Sequence, residues 1–376
     1  MAFYGIDLHS DSQTAAKIKN GNRLHEIKTF HMPLKGEKFN FFLNQLTKED
    51  IILIEATTQS FWFYDQVKDR VKACYILNSN KLDGPISNKT DKIDATRLVM
   101  LLVYYELMPI SPEKKPYIYV PIPEVRELRG LFTSFNLQKK MITQAKNRIH
   151  SIYKQNGIKL DRKNLENIKR RNELLKEVKL PELWMFQVIT MNKNLTMLEK
   201  EKKGIEELII YKGHKLFKQD IERLISIKGF SPLIAVALMT DICDVDRFKN
   251  EKKFTCYLRT TPKVTSSNDT IKIGRTNKQA RKLTVSLLAE SASWIGKSCD
   301  HFIRFKERVG KGKKACVVRM ALMRKALCAA YHMLIKKELF WGIDKKSYKV
   351  KLYNLHRLIK NYEKRLEKNC MSKNAA

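Results

Sequence analysis

Four acidic residues stand out by where they fall in this 376-residue sequence. Asp7 ends the stretch AFYGIDL, Glu55 ends IILIE, and Asp91 and Asp94 lie three apart in NKTDKIDATRL. The first two stretches read as strands, and two acids at strand ends of one sheet can converge. A helix crossing that edge would point the i, i+3 pair the same way. Four converging carboxylates raise one another's pKa values, so such a cluster is tolerable mainly when a divalent cation neutralises it. Mg²⁺ takes oxygen ligands from a few carboxylates, water and phosphate, and a pair of such ions about 3.5–4 Å apart serves phosphoryl transfer. The plain alternative is that each acid is a solvated side chain or a cap. Asp91, following Thr90, suits the second role.

The charge of the chain gives this pocket a context. The net charge is +34, and it is unevenly spread. Residues 1–110 hold 14 Lys and Arg against 13 Asp and Glu, whereas residues 111–376 hold 59 against 26. A positive field of that extent, interleaved with aromatics as in YLRTTPK and WIGKSCDHFIRFK, suits a nucleic-acid track rather than a localised membrane-binding cluster. The longest apolar run, LVMLLVYYELM, contains Glu106 and is much shorter than the ~20 residues of a membrane span. The start, MAFYGIDLHSDS, lacks a basic region followed by an apolar one, so no leader is expected. The seven cysteines never form CxxC, which argues against a disulfide framework or a zinc site and for a reduced, cytoplasmic protein.

The elements that position these residues follow from periodicity. AFYGIDLH, TAAKIKN and RLHEIKTF predict a meander of three strands. The helical FNFFLNQL, the apolar IILIE, the helical SFWFYDQVKDRV and the apolar KACYILN then alternate, which implies a parallel portion of the sheet. Prolines 112, 116, 121 and 123 punctuate the chain, and apolar positions from Val125 to Ile152 recur at helical steps. The expected architecture is α/β plus all-α, in four parts. Residues 1–112 are a mixed-sheet acidic domain, 113–215 a coiled-coil-like helical arm, 216–345 a mainly helical domain and 346–376 a basic tail. SIKGFSPLIAVALM predicts a hairpin between helices, which offers either phosphate-binding amides or only a turn with a glycine cap. By composition TPKVTSSNDTIKIGR reads as a surface loop.

In order, GIDLH, IEATTQSFWFYDQV and NKTDKIDATRL resemble the strand, EATG and KTDxxDA signatures of the DEDD transposases. These form the insertion-sequence one-ten family, which includes the Piv-type DNA invertases. QAKNRIHSIYKQNGI, the stretch from LISIKGF to KQARKL, and GKKACVVRMALMRKALCAAYHML are similar to later parts of the same family. The resemblance implies an RNase H-like, RuvC-like first domain whose Asp7, Glu55, Asp91 and Asp94 bind Mg²⁺, with Mn²⁺ as a substitute. It implies a catalytic serine after TP, at Ser267 with Ser266 as the alternative. It further implies a homodimer or homotetramer with a composite active site, DNA as partner, a structured bridge RNA as guide, and a bacterial, nucleoid-associated setting. Thr58, Asn268 and the KQAR stretch depart from the family's pattern, which has Gly after EAT, Gly after the serine and K.GN.

No neighbour in sequence supplies Ser267 with a base, so its activation must come from elsewhere. Lys272, Arg275, Lys278, Arg281 and Lys282 are candidates for phosphate contact. The expected function is Mg²⁺-dependent DNA cleavage and exchange through a phosphoserine, without ATP, since no GxxxxGK[ST] loop is present. An invertase working without guide RNA, a nuclease in which water attacks, and a relic that only binds nucleic acid are the alternatives.

Overall fold

The computed structural model describes residues 1–21, 23–79, 90–111, 114–267, 270–276 and 282–374. The chain divides into two compact units, Met1–Pro121 and Ile122–Ala376.

The first unit is built on five strands. β1 (Ala2–Leu8), β2 (Ser12–Lys19) and β3 (Lys28–Pro33) form the expected antiparallel meander, with Leu24–Glu26 as a short 3-10 turn ahead of β3. Next come α1 (Glu37–Gln45), β4 (Ile51–Glu55), α2 (Ser60–Val67), β5 (Ala73–Leu77) and α3 (Asp91–Leu107). β4 and β5 run parallel to β1, and the order β3-β2-β1-β4-β5 is that of an RNase H-like sheet. Strand alternation sorts the side chains between two layers. Tyr4, Ile6, Ile52 and Ile54 join Phe39, Phe42 and Phe63 of α1 and α2, while Phe3, Ile51 and Leu53 join Ala95, Leu98, Val99 and Leu102 of α3. β4 is apolar on both faces because both faces are covered.

Gly5 sits where α3 meets the sheet. A Cβ there would lie 2.2 Å from Val99 N and 2.4 Å from Ala95 O, so helix and strand touch backbone to backbone. Any side chain at position 5 would force them apart.

The second unit is mainly helical. α4 (Pro123–Gln155) and α6 (Glu182–Leu224), about 50 and 65 Å long at 1.5 Å per residue, pack together, with α5 (Ile168–Glu177) between them in sequence. At one end of the pair Ile149, Ile152 and Tyr153 of α4 pack with Leu174, Val188 and Leu195. At the other, Phe132 and Phe135 enter the core formed around α7 (Pro232–Ile242). The buried Arg171 pins α5 to α6, donating to Asn192 Oδ1 at 2.9 Å, Glu199 Oε2 at 2.6 Å and Leu165 O at 2.8 Å. α6 leaves helical geometry at Phe217 (φ −131°, ψ 38°), two residues beyond the boundary that the sequence reading placed at 215. The arm and the following domain thus share one helix and one core.

The rest comprises α8 (Glu251–Tyr257), β6 (Pro262–Ser267), β7 (Thr270–Thr276), α9 (Leu283–Ile295), α10 (Asp300–Gly310), α11 (Ala315–Lys336) and α12 (Lys345–Asn374). α7 is buried along its length, and its Asp241 Oδ2 accepts from Thr284 N (3.0 Å) and Oγ1 (2.7 Å) at the start of α9.

The stretch read as a loop is instead a hairpin: β6 and β7 pair antiparallel, with Ser267 opposite Thr270. Its Ser, Asn and Asp residues are consecutive in sequence, 266–269, and the β-branched Val264, Thr265, Ile271 and Ile273 on either side favour strands.

The hairpin between helices is present as α6, a turn and α7. Gly229 takes φ +93°, as the turn requires, and Ser231 caps α7 by accepting from Ile234 N. Pro232 offers no amide, which reduces the donors available for phosphate. On the carbonyl side, Lys351 Nζ of α12 donates to the oxygens of Ile225, Ile227 and Phe230 at 2.9, 2.9 and 3.1 Å. No helix among the described residues is long and apolar enough to cross a membrane.

Candidate active site

Alternation along β1 puts Asp7 on the same face as Phe3 and Gly5, toward α3, and alternation along β4 does the same for Glu55 after Ile51 and Leu53. The register pairs Ile6 with Ile54, so the two acids leave neighbouring strands side by side. Asp91 and Asp94 occupy the first turn of α3 above that edge. Thr90, not Asp91, is the cap: its side chain accepts from Ile93 N at 3.3 Å. Asp91 is therefore left without a capping duty, and it sits at a helix N-terminus that favours its negative charge.

His9 joins the acids. Its Nε2 lies 3.4 Å from Asp7 Oδ2 and 3.3 Å from Asp91 Oδ2, and the ligand atoms of the three residues fall within 4.8 Å of one another. That nitrogen is buried without a well-formed hydrogen bond. Burial raises the Asp7 carboxyl above its usual range; His9 opposes the shift, and Asp94, Glu55 and Asp91 add to it by repulsion. All four predicted acids thus act on one locus, with Asp7 and Asp91 closest to His9. Sequence reasoning missed His9, although GIDLH sets it two residues after Asp7, the spacing that keeps a strand's side chains on one face.

The turn after Glu55 is fixed by Ser60, whose Oγ donates to Glu55 O at 2.8 Å and accepts from Thr57 N at 2.6 Å. Among the described residues only Cys243, Arg259 and Lys337 combine a side chain with positive φ. Thr58 is therefore unstrained where the family pattern has glycine.

The remaining predicted residues lie in the second unit. Ser266 and Ser267 close β6, Lys272 pairs with Thr265 in the ladder, and Arg275 lies near the end of β7. Lys278 and Arg281 lie outside the described residues. Lys282, the exposed residue before α9, lines a groove with Arg129, Asn136, Lys139, Lys140 and Arg259. Arg259 and Lys282 precede and follow the hairpin in sequence. Lys139, Lys140 and Arg259 were not foreseen, because only the fold brings α4 to Arg259 and the start of α9. Arg129 anchors the groove's wall, donating to the carbonyls of Thr240 (3.1 Å) and Asp241 (3.2 Å).

Residues 221–309 match the model of the transposase family described as IS116/IS110/IS902. Over these residues the chain is similar to that family. The match covers roughly a quarter of the chain, from the end of α6 into α10, and includes the serine hairpin but not the acidic cluster. No curated protein matches the sequence. The match supports a DNA transposase or recombinase in the general sense, with DNA as its partner.

Proposed function

We propose that this transposase cleaves and transfers DNA strands with Asp7, Glu55, Asp91 and Asp94 holding Mg²⁺, or Mn²⁺ in its place, and with Ser267 as nucleophile. The observation that carries the reading is the convergence of four carboxylates at one edge of an RNase H-like sheet, where burial first, and then repulsion from Asp94, Glu55 and Asp91 against the opposing His9, disfavours the ionised form of Asp7. The donor set, carboxylate oxygens with one imidazole beside them, fits a hard divalent cation. When bound, that cation would supply polarisation of the scissile phosphate and charge neutralisation at the leaving oxygen.

The chain's own residues do the rest. The backbone contact at Gly5 fixes the acids of α3 against those of the sheet. The groove of Lys139, Lys140, Arg259 and Lys282 holds phosphates without reading sequence. Ser267 Oγ forms a bond to phosphorus as the bond from phosphorus to a deoxyribose oxygen breaks, and that oxygen leaves as a hydroxyl carrying the serine's proton. Attack by a hydroxyl of the new strand reverses the step and frees Ser267. One phosphoester is exchanged for another each time, so no ATP is consumed. Serine and acids act on the same phosphate within an assembly of two or four copies. The basic second unit also holds a structured guide RNA by shape and backbone, which suits its charge.

The test is a supercoiled plasmid carrying the element ends, incubated with Mg²⁺ and analysed under denaturing conditions for a protein–DNA adduct. Wild type forms the adduct, and Asp7→Ala and Ser267→Ala do not. Cutting by Ser267→Ala at the wild-type rate, with Asp7→Ala dead, replaces this reading with a nuclease in which water attacks. Loss with Ser266→Ala instead moves the nucleophile by one residue. Wild-type protein that binds but never cuts is a nucleic-acid-binding relic. Stoichiometric RNA in the purified protein supports the guide, and RNA-free protein that still recombines points to an invertase working at fixed sites.

A further inference from the structure

His214 and Glu222 flank the bend of α6 at Phe217, and α12 brings His356 to them. Glu222 Oε1 lies 3.1 Å from His214 Nε2 and 3.0 Å from His356 Nε2, and the three ligand atoms fall within 4.8 Å of one another. The His214 side chain is buried, that of Glu222 half-buried and that of His356 half-exposed, so the trio opens to solvent on one side. Two atoms bound at about 2.0–2.1 Å to one ion lie about 2.9–3.4 Å apart at angles between square and tetrahedral. Both N···O separations fall in that range.

We propose that His214, Glu222 and His356 form a binding site for a divalent transition-metal cation, Zn²⁺ in the first instance, which fastens the basic helix α12 to the bend of α6. Two imidazoles and one carboxylate select for this class over Mg²⁺ or Ca²⁺, and three protein ligands leave a position for water on the open side. Without the ion each imidazole Nε2–H donates to Glu222. With it each Nε2 gives up its proton to solvent, Nδ1 carries the ring's one proton, and the Nε2 lone pair binds the ion, so no redox or covalent step is involved. Burial alone would raise the Glu222 carboxyl, but the hydrogen bonds from His356 and His214 prevail and hold it below its usual range, the anionic form a ligand needs. The same crossing of α6 and α12 is braced by Tyr211 stacked on Tyr362, centroids 4.7 Å apart, and by Arg365 on Glu207 at 2.6 Å. The ligands are thus held near one another before any ion arrives. Glu222 lies at the start of the segment that matches the transposase family and His214 and His356 lie outside it, and none of the three takes part in the proposed cleavage.

The acidic cluster contains His9 and can also take up a transition metal, so the test separates the two sites. Full-length protein is stripped with chelator, then titrated with Zn²⁺ by calorimetry and with Co²⁺ by visible absorption. The site predicts an equivalent of Zn²⁺ and a Co²⁺ d–d band that persist in Asp7→Asn. In His356→Gln the band disappears and the corresponding Zn²⁺ affinity falls at least about tenfold. Since loss of the buried His214 endangers the fold, the half-exposed His356 carries the test, and its variant is required to match wild type in circular dichroism and in Tm under chelator. An unchanged band and affinity in His356→Gln, or no binding beyond what Asp7→Asn removes, overturns the site and leaves a hydrogen-bonded trio.

Discussion

The two units handle charge in opposite ways. The first, nearly neutral over residues 1–110, brings four of its thirteen acids to one sheet edge, where backbone register and one helix turn set their positions. The second spreads a large excess of Lys and Arg over helices and keeps its few buried charges in closed networks such as Arg171 with Glu199. Cleavage chemistry demands a fixed point, whereas holding a polyanion demands area. The first is sensitive to single atoms and the second is redundant. Substitutions therefore have different signatures in the two units.

The sharpest division comes from Asp91→Asn or Asp94→Asn. Either lowers Mg²⁺-dependent cleavage on the order of a thousandfold while leaving nucleic-acid affinity within about twofold, read from plasmid cleavage and gel shift on one preparation. An equal loss of both breaks the comparison and returns these acids to ordinary surface residues.

Arg171→Ala tests the closed networks. Leaving Glu199 with only Lys146, whose Nζ lies 3.4 Å away, and Asn192 Oδ1 without its donor costs about 2–3 kcal/mol in the second unit. Hydrogen exchange then rises around α5 and the adjoining part of α6, with β1 and β4 unchanged. Faster exchange in the sheet would mean that the two units do not unfold independently.

Redundancy predicts a milder effect for the groove. Replacing Lys139, Lys140 and Lys282 together by Ala weakens binding about equally across sequences and reduces the slope of log affinity against log salt by about 0.9 per lost phosphate contact. An unchanged slope excludes the groove from the track.

The smallest effect is one of pH on the metal-free protein. The Asp7 carboxyl is raised in the folded state by burial first, so the native form keeps its proton longer than the unfolded chain. Asp7's contribution to stability is therefore fully present below the ordinary carboxylate value of about 4 and is lost as pH rises through its raised value. Asp7→Asn flattens that dependence in chelator, measured as Tm against pH. A profile in wild type identical to that of Asp7→Asn would mean that Asp7 is neither desolvated nor crowded.

Legibility in the sequence divides along the same line. The sheet of the first unit could be read because its strands alternate or run apolar and end in acids; its order then followed from one meander and one parallel extension. His9 was hidden, since an imidazole at a strand end is ordinary until a helix turn lies above it. In the second unit Val125 to Ile152 announced a helix, but not that Phe132 and Phe135 would cross from arm to domain core, a long-range matter of packing. The hairpin was obscured because composition averages the turn at Ser267 with the β-branched residues on either side. The groove could not be read at all, since Lys139 and Arg259 are 120 positions apart.

At Gly5 the sheet and α3 meet without any side chain as a spacer. The opening of the acidic cleft is in effect a machined gap, and position 5 is where a shim would go. Each atom inserted there displaces Asp91 and Asp94 from Asp7 while every acid keeps its identity. The chain can thus be put out of gauge without touching a single ligand.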